Sequence, residues 1–160
     1  MTHPAIGIVP WDMETNPSLR RNCTLNKIRA LQYGDDDDGT LICEDDILFT
    51  PNWFSKLSAA TAEMGDEEYI LSLFVAKQES NILKGKGWVK KYPQYVLQGA
   101  QALFYPTKAL RNKVADYLQL KIATGSGDEL IGRYARAYSA LYVTVEPLVE
   151  NIGLISCFHR

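Results

Sequence analysis

The chain has 160 residues, one domain's worth, enough to bury a core without disulfide or metal staples. Apolar residues make up 46% of it and charged residues 22%, and 17 Lys and Arg against 19 Asp and Glu leave a formal net charge of −2. That balance excludes a chain-wide electrostatic grip on nucleic acid or an anionic membrane. With no long uninterrupted apolar run, no membrane span is expected. The opening MTHPAIGIVP lacks a basic stretch followed by an apolar one, so no secretory signal is expected, and a cytoplasmic placement is the expectation. Cys23, Cys43 and Cys157 are irregularly spaced, which suits free thiols in a reducing compartment rather than a disulfide framework or a zinc site.

In chain order, AIGIV (5–9) reads as a short strand stopped by Pro10. Asn16 and Pro17 suit the cap and first residue of a helix running to about Tyr33, with Gly34 at its left-handed end. Leu25, Ile28 and Leu31 give that helix its apolar stripe. The run Asp35 to Asp38, closed by Gly39, suits a solvated turn. Leu41, Ile42 and Cys43 form a continuous apolar run, as in a strand buried on both faces. Thr50–Pro51 opens a second helix carrying Phe54, Leu57, Thr61 and Met64 on one face and ending at Gly65. Tyr69 to Val75 is another buried-type strand. KQESNILKGKGWVKKYPQ reads as a long polar loop, and YVLQGAQALFYP as strand material broken at Gly99.

Thr107 to about Leu120 is helical, with Leu110, Val114, Tyr117 and Leu118 in register. Ser126 and Glu129 form an S-x-x-E capping box at the start of a last helix, whose inner face is Ile131, Tyr134, Ala135 and Tyr138. ALYVTVEP is a last strand, and the tail from Leu148 reads as irregular. There is no internal repeat. Strands and helices alternate, so the expected fold is a single α/β domain over 1–160, a mixed central sheet flanked by helices.

The strongest chemical feature is Glu44-Asp45-Asp46, three carboxylates directly after an apolar strand. In open α/β sheets, ligands bind beyond the carboxyl ends of the strands. An extended chain would set Glu44 and Asp46 on one side and Asp45 on the other. Three like charges there call for a cation, and carboxylate oxygens suit Mg²⁺ or Mn²⁺. The competing reading is a solvated acidic loop. Asp128 opens a helix near the positive end of its dipole and is a candidate general base; Glu129 already has a capping task. Lys84, Lys86, Lys90 and Lys91, with Trp88 and Tyr92, make a loop that either clamps a phosphate, stacks a sugar ring or is simply solvated. His3 and His159 are the two histidines, and a histidine one residue from the end is ordinarily exposed.

LICEDDILFTPNWFSKL is similar to the segment carrying the DXD-type motif in GT-A-fold glycosyltransferases: an apolar strand, E-D-D, a hydrophobic residue, then a helix. Further along, QGAQALFYPTKAL resembles the family strand that faces the donor sugar, GSGDELIGRY the segment delivering an acidic catalytic residue, and EPLVENIGLISCFH the tail of the catalytic domain. N-acetylglucosaminyltransferases and bacterial lipopolysaccharide sugar transferases share this order, and the resemblance spans about Asn22 to His159.

It implies a GT-A-like, Rossmann-like fold with a shortened nucleotide-binding part, since 43 residues precede Glu44. It also implies a metal-dependent, inverting transfer of sugar from a nucleotide-sugar donor to a hydroxyl of a glycan or lipopolysaccharide. Asp46 would then be the metal ligand, joined by His159. Asp45 would contact the donor sugar or ribose, and Glu44 the nucleoside side. Gln98, Gly99 and Ala100 would lie along the donor sugar, Trp88 would close over it, and Asp128 would be the base. Two other readings stand beside this one. A nucleotidyltransferase also sets carboxylates on metal beside a sheet, but brings an early glycine-rich phosphate loop, and here Gly7 alone precedes Gly34. An inactive transferase-like module would bind a glycan or a partner without turnover.

Overall fold

The computed structural model describes residues 19–34, 39–75, 86–92, 97 and 99–152. The expected strand at 5–9, the Asn16–Pro17 helix start, the aspartate run 35–38, Lys84 and most of its loop, Gln98, Cys157 and both histidines lie outside them.

The elements in order are α1 (Leu19–Gln32), β1 (Thr40–Cys43), β2 (Ile47–Phe49), α2 (Trp53–Glu63), β3 (Tyr69–Ser72), β4 (Val89–Lys91), β5 (Ala102–Tyr105), α3 (Lys108–Lys121), α4 (Gly127–Tyr138), β6 (Ala140–Thr144) and β7 (Val149–Asn151). Five strands form a mixed sheet in the order β1-β5-β3-β6-β4, and β2 pairs with β7 as a separate ribbon. β5 runs antiparallel to both β1 and β3, and β6 runs parallel to β3, so β1, β3 and β6 share one direction. Their carboxyl ends lie along one edge: Cys43 is opposite Ala102, and Ser72 is opposite both Leu103 and Val143.

Alternation along the strands sorts the core onto two faces. Leu71, Ala102 and Phe104 pack with Leu57 of α2. Ile70, Leu103, Tyr105 and Val143 pack with Ile28 and Leu31 of α1, Leu110 and Val114 of α3, and Ile131 of α4. β3 is buried along its whole length, which is why its sequence is uniformly apolar up to Ser72. The expected stripes on α1 and α3 hold, whereas Tyr138 of α4 is 65% exposed and rests edgewise on Tyr117 and at a tilt against Tyr134 instead of entering the core.

The helix ends follow local chemistry. Thr107 Oγ1 accepts from the Leu110 N–H at 3.2 Å and caps α3. Ser126 Oγ accepts from Glu129 N–H at the start of α4, but the Glu129 carboxylate pairs forward with Arg133, so only the serine half of the expected capping box acts. Thr50 does not cap α2: Asn52 occupies the cap in a left-handed conformation (φ 59°), while Thr50 Oγ1 donates to the Leu148 carbonyl at 3.3 Å. Gly34 takes φ 80° just past α1, as its position suggested. The carbonyls near that end are held by a buried cation, with Arg111 Nη1 donating to Leu31 O at 3.1 Å and to Tyr33 O at 2.6 Å.

β1, expected to be buried on both faces, is a half-buried edge strand with Cys43 exposed, and three strands, β2, β4 and β7, lie where none was expected. β4 lies inside the stretch read as loop and pairs with β6 at the sheet edge, where Lys90 and Lys91 suit an edge strand. β7 lies in the tail read as irregular, and it gives β2 its partner, with Phe49 opposite Val149 and Ile47 opposite Asn151. No described helix is long and apolar enough to cross a membrane.

Candidate functional site

β1 carries its ladder one residue past Cys43, because the Glu44 N–H donates to the Gln101 carbonyl at 2.8 Å. The chain then turns at Asp45–Asp46 and enters β2. Alternation therefore stops at Glu44. The expected common side for Glu44 and Asp46 gives way to two separate sets of partners. Asp45 is exposed. Asp46 belongs to the β2–β7 ribbon: its Oδ2 accepts from Asn151 Nδ2 at 3.1 Å, and its carbonyl from the Ile152 N–H at 2.9 Å. Its other carboxylate oxygen, Oδ1, is buried without a hydrogen-bond partner among the described residues, and so is Gln101 Oε1.

Glu44 faces the side of the sheet covered by α1 and α4. There Lys27 of α1 reaches both acidic candidates, with Nζ 3.0 Å from Glu44 Oε1 and 2.9 Å from Asp128 Oδ1. The lysine side chain is 19% exposed. Burial works against its charge, but Asp128 and Glu44 more than offset that and raise its pKa above the ordinary lysine value. Lys27 lies on the inner stripe of α1, between buried Thr24 and buried Leu31. Its stem passes over the first turn of α4 at Gly127, where a Cβ would stand 2.7 Å from Lys27 Cδ and 3.2 Å from Cε.

Both oxygens of Asp128 are thus engaged. Oδ1 takes Lys27, and Oδ2 accepts the Ala100 N–H at 3.1 Å. That amide is delivered by a turn at Gly99, whose φ of 83° favours glycine. The positive end of α4 lies behind the carboxylate. Tyr105 is buried below; its phenol is pushed well above the usual tyrosine range by burial, and further by the Asp128 charge. A cavity of about 20 Å³ between Lys27, Ile42, Ala100 and Tyr105 has room for one water, not for a sugar ring or a base.

The structure therefore brings Glu44, Ala100 and Asp128 together around Lys27, with Gly99 leading into Ala100 and with Asp45 and Asp46 following directly on Glu44. It does not bring Trp88 there. Trp88 precedes β4 at the opposite side of the sheet, four strand spacings or about 19 Å from β1. Its backbone N–H donates to Glu63 Oε2 of α2 at 2.6 Å, and the residue is 43% exposed. Gln98 and His159 lie outside the described residues.

Lys27 and Gly127 were not legible as site residues. A lysine on a helix ordinarily reads as a solvated charge, and a glycine at a helix start as an unremarked first-turn residue. The signal that was present is the place of Lys27 on the stripe shared by Thr24, Ile28 and Leu31. Among the described residues no three His, Cys, Asp or Glu side chains converge as a metal cage. A divalent cation held by one carboxylate and otherwise by substrate phosphates needs no such cage. The partnerless Asp46 Oδ1 fits that mode of binding. Comparison of the chain with protein-family models, with curated proteins and with solved structures finds no match.

Proposed function

We propose that this chain is a metal-dependent glycosyltransferase of GT-A-like fold, moving a sugar from a nucleotide-sugar to a hydroxyl of a glycan-type acceptor. The observation that carries the reading is the pairing of Lys27 with both Glu44 and Asp128. It ties the end of the E-D-D strand to a helix-start carboxylate 84 positions later in the chain. The mixed sheet, with the acidic turn at the carboxyl end of β1, supports the same reading.

In this reading Asp46 would hold Mn²⁺ or Mg²⁺ through Oδ1, which has no hydrogen-bond partner among the described residues. When bound, the cation supplies positive charge to the departing diphosphate. Gly99 and Ala100 would present their backbone to the donor. Asp128 accepts the proton of the acceptor hydroxyl as that oxygen forms its bond to the anomeric carbon. The Ala100 N–H and the Lys27 ammonium fix the carboxylate for that step. Glu44 anchors Lys27, a different task from the nucleoside contact that the resemblance implied.

Calorimetry with manganese and a panel of uridine, guanosine and cytidine nucleotide-sugars tests the reading. The expected result is binding of a donor that depends on manganese and is lost in Asp46→Ala. A folded protein that binds no donor with or without manganese contradicts it. Binding of a glycan alone by that protein would favour the module without turnover.

A further inference from the structure

Lys27 differs from an ordinary surface lysine in three ways. It stands on the buried stripe of α1, its side chain is 19% exposed, and its ammonium contacts two carboxylates from two other elements. Its path exists because residue 127 has no side chain: a methyl group there would overlap the stem at Cδ. A buried ammonium is costly to hold unless fully paired, so the stem, the glycine and both carboxylates form one arrangement. Within it, each Asp128 oxygen has one donor, Lys27 Nζ on Oδ1 and Ala100 N–H on Oδ2. A carboxylate offers about four lone-pair sites, so two directions stay open, and the side chain keeps 31% exposure through which an acceptor can approach.

We propose that Lys27 is a positioning residue for the transfer. It sets the direction of the Asp128 carboxylate and, through Glu44, fixes its place relative to the E-D-D turn. This rests on the sugar-transfer reading above. Lys27 touches neither donor nor acceptor; it acts through Asp128. Removing its ammonium leaves Oδ1 without its donor and lets the carboxylate rotate, so the chemical step suffers while the donor is still bound. Misplacing a catalytic group by about 1 Å can cost on the order of a hundredfold in rate.

The test uses the whole chain with manganese and the donor found to bind. Lys27→Ala is expected to lower kcat by about 10- to 100-fold with donor KM changed less than about threefold. Ethylammonium, an alkylamine small enough for the space left by the missing stem, is expected to restore a substantial part of kcat. Tetramethylammonium, which has no N–H, is expected to restore none. Lys27→Met keeps the stem and carries the same comparison of kcat with KM should Lys27→Ala not fold. Unchanged kcat in a folded Lys27 variant, or equal loss of kcat and donor affinity, overturns the positioning role while leaving the sugar-transfer reading in place. Failure of the wild-type chain to turn over any donor overturns both.

Discussion

Adding one methyl group at residue 127 is the sharpest perturbation of this arrangement. In Gly127→Ala the new Cβ would lie 2.7 Å from Lys27 Cδ and 3.6 Å from Oγ1 of fully buried Thr24. Normal contact requires the stem to shift by about 0.8 Å or more, since carbon atoms pack at roughly 3.5–4.0 Å. Its far end is held at 2.9 and 3.0 Å, so the shift strains at least one of the two ion pairs. Weakening a charged hydrogen bond costs about 1.5–3 kcal/mol, and the partial exposure of all three side chains puts the cost at the low end of that range. Replacing glycine in a helix returns at most about 1 kcal/mol. The net expectation is a loss of about 0.5–1.5 kcal/mol, read as a lower urea midpoint with unchanged slope and a melting temperature down by about 1–6 °C. Gly65→Ala is the control: its Cβ would meet nothing within 4 Å, and the substitution should be neutral or slightly stabilising. Equal stability of Gly127→Ala and Gly65→Ala would refute the close passage of Lys27 over α4.

Other outcomes follow from the same contacts. Arg111→Met removes the cation that holds the Leu31 and Tyr33 carbonyls, and should cost about 2–4 kcal/mol in urea unfolding, with hydrogen exchange at the end of α1 rising first. Thr107→Ala should cost about 1 kcal/mol through its 3.2 Å cap, and Ser126→Ala less, because its contact is 3.5 Å; the order of the two melting temperatures checks this. Lys27 and Tyr105 have folded pKa values above their unfolded ones. Their contribution is therefore complete below about pH 10 and lost as pH rises further, so the urea midpoint should fall above about pH 10. Tyr105→Phe should flatten part of that fall, and a midpoint that rises between pH 9 and 11 would contradict the sign.

What the sequence disclosed was mostly local. The cap at Ser126, the end of α1 at Gly34 and the start of β3 at Tyr69 are decided by neighbouring residues and stand where expected, whereas β3 stops at Ser72 and Thr107, read as the first residue of its helix, is the cap. The β2–β7 ribbon was missed because each strand has three residues and the pairing joins positions about a hundred apart. β4 was missed because two of its three residues are lysines, which serve an edge strand but read as loop. At the candidate site, Glu44 and Asp128 could be singled out by residue type and place, yet nothing along the chain revealed that one lysine joins them. Trp88 shows the opposite case. Its basic and aromatic neighbours suggested a donor clamp, but the strand order carries it to the far side of the sheet.

The most direct test of the account compares donor turnover by the wild-type chain and by Asp128→Asn, with manganese, at saturating nucleotide-sugar and acceptor glycan. The substitution keeps the size of the side chain and an oxygen for the Lys27 contact, but removes the charge that takes the acceptor proton. The account predicts release of nucleoside diphosphate by the wild type, lowered about a hundredfold or more in Asp128→Asn, with donor affinity nearly unchanged. Parallel loss of donor binding and turnover in a folded Asp128→Asn would contradict it and leave Asp128 with a purely structural task.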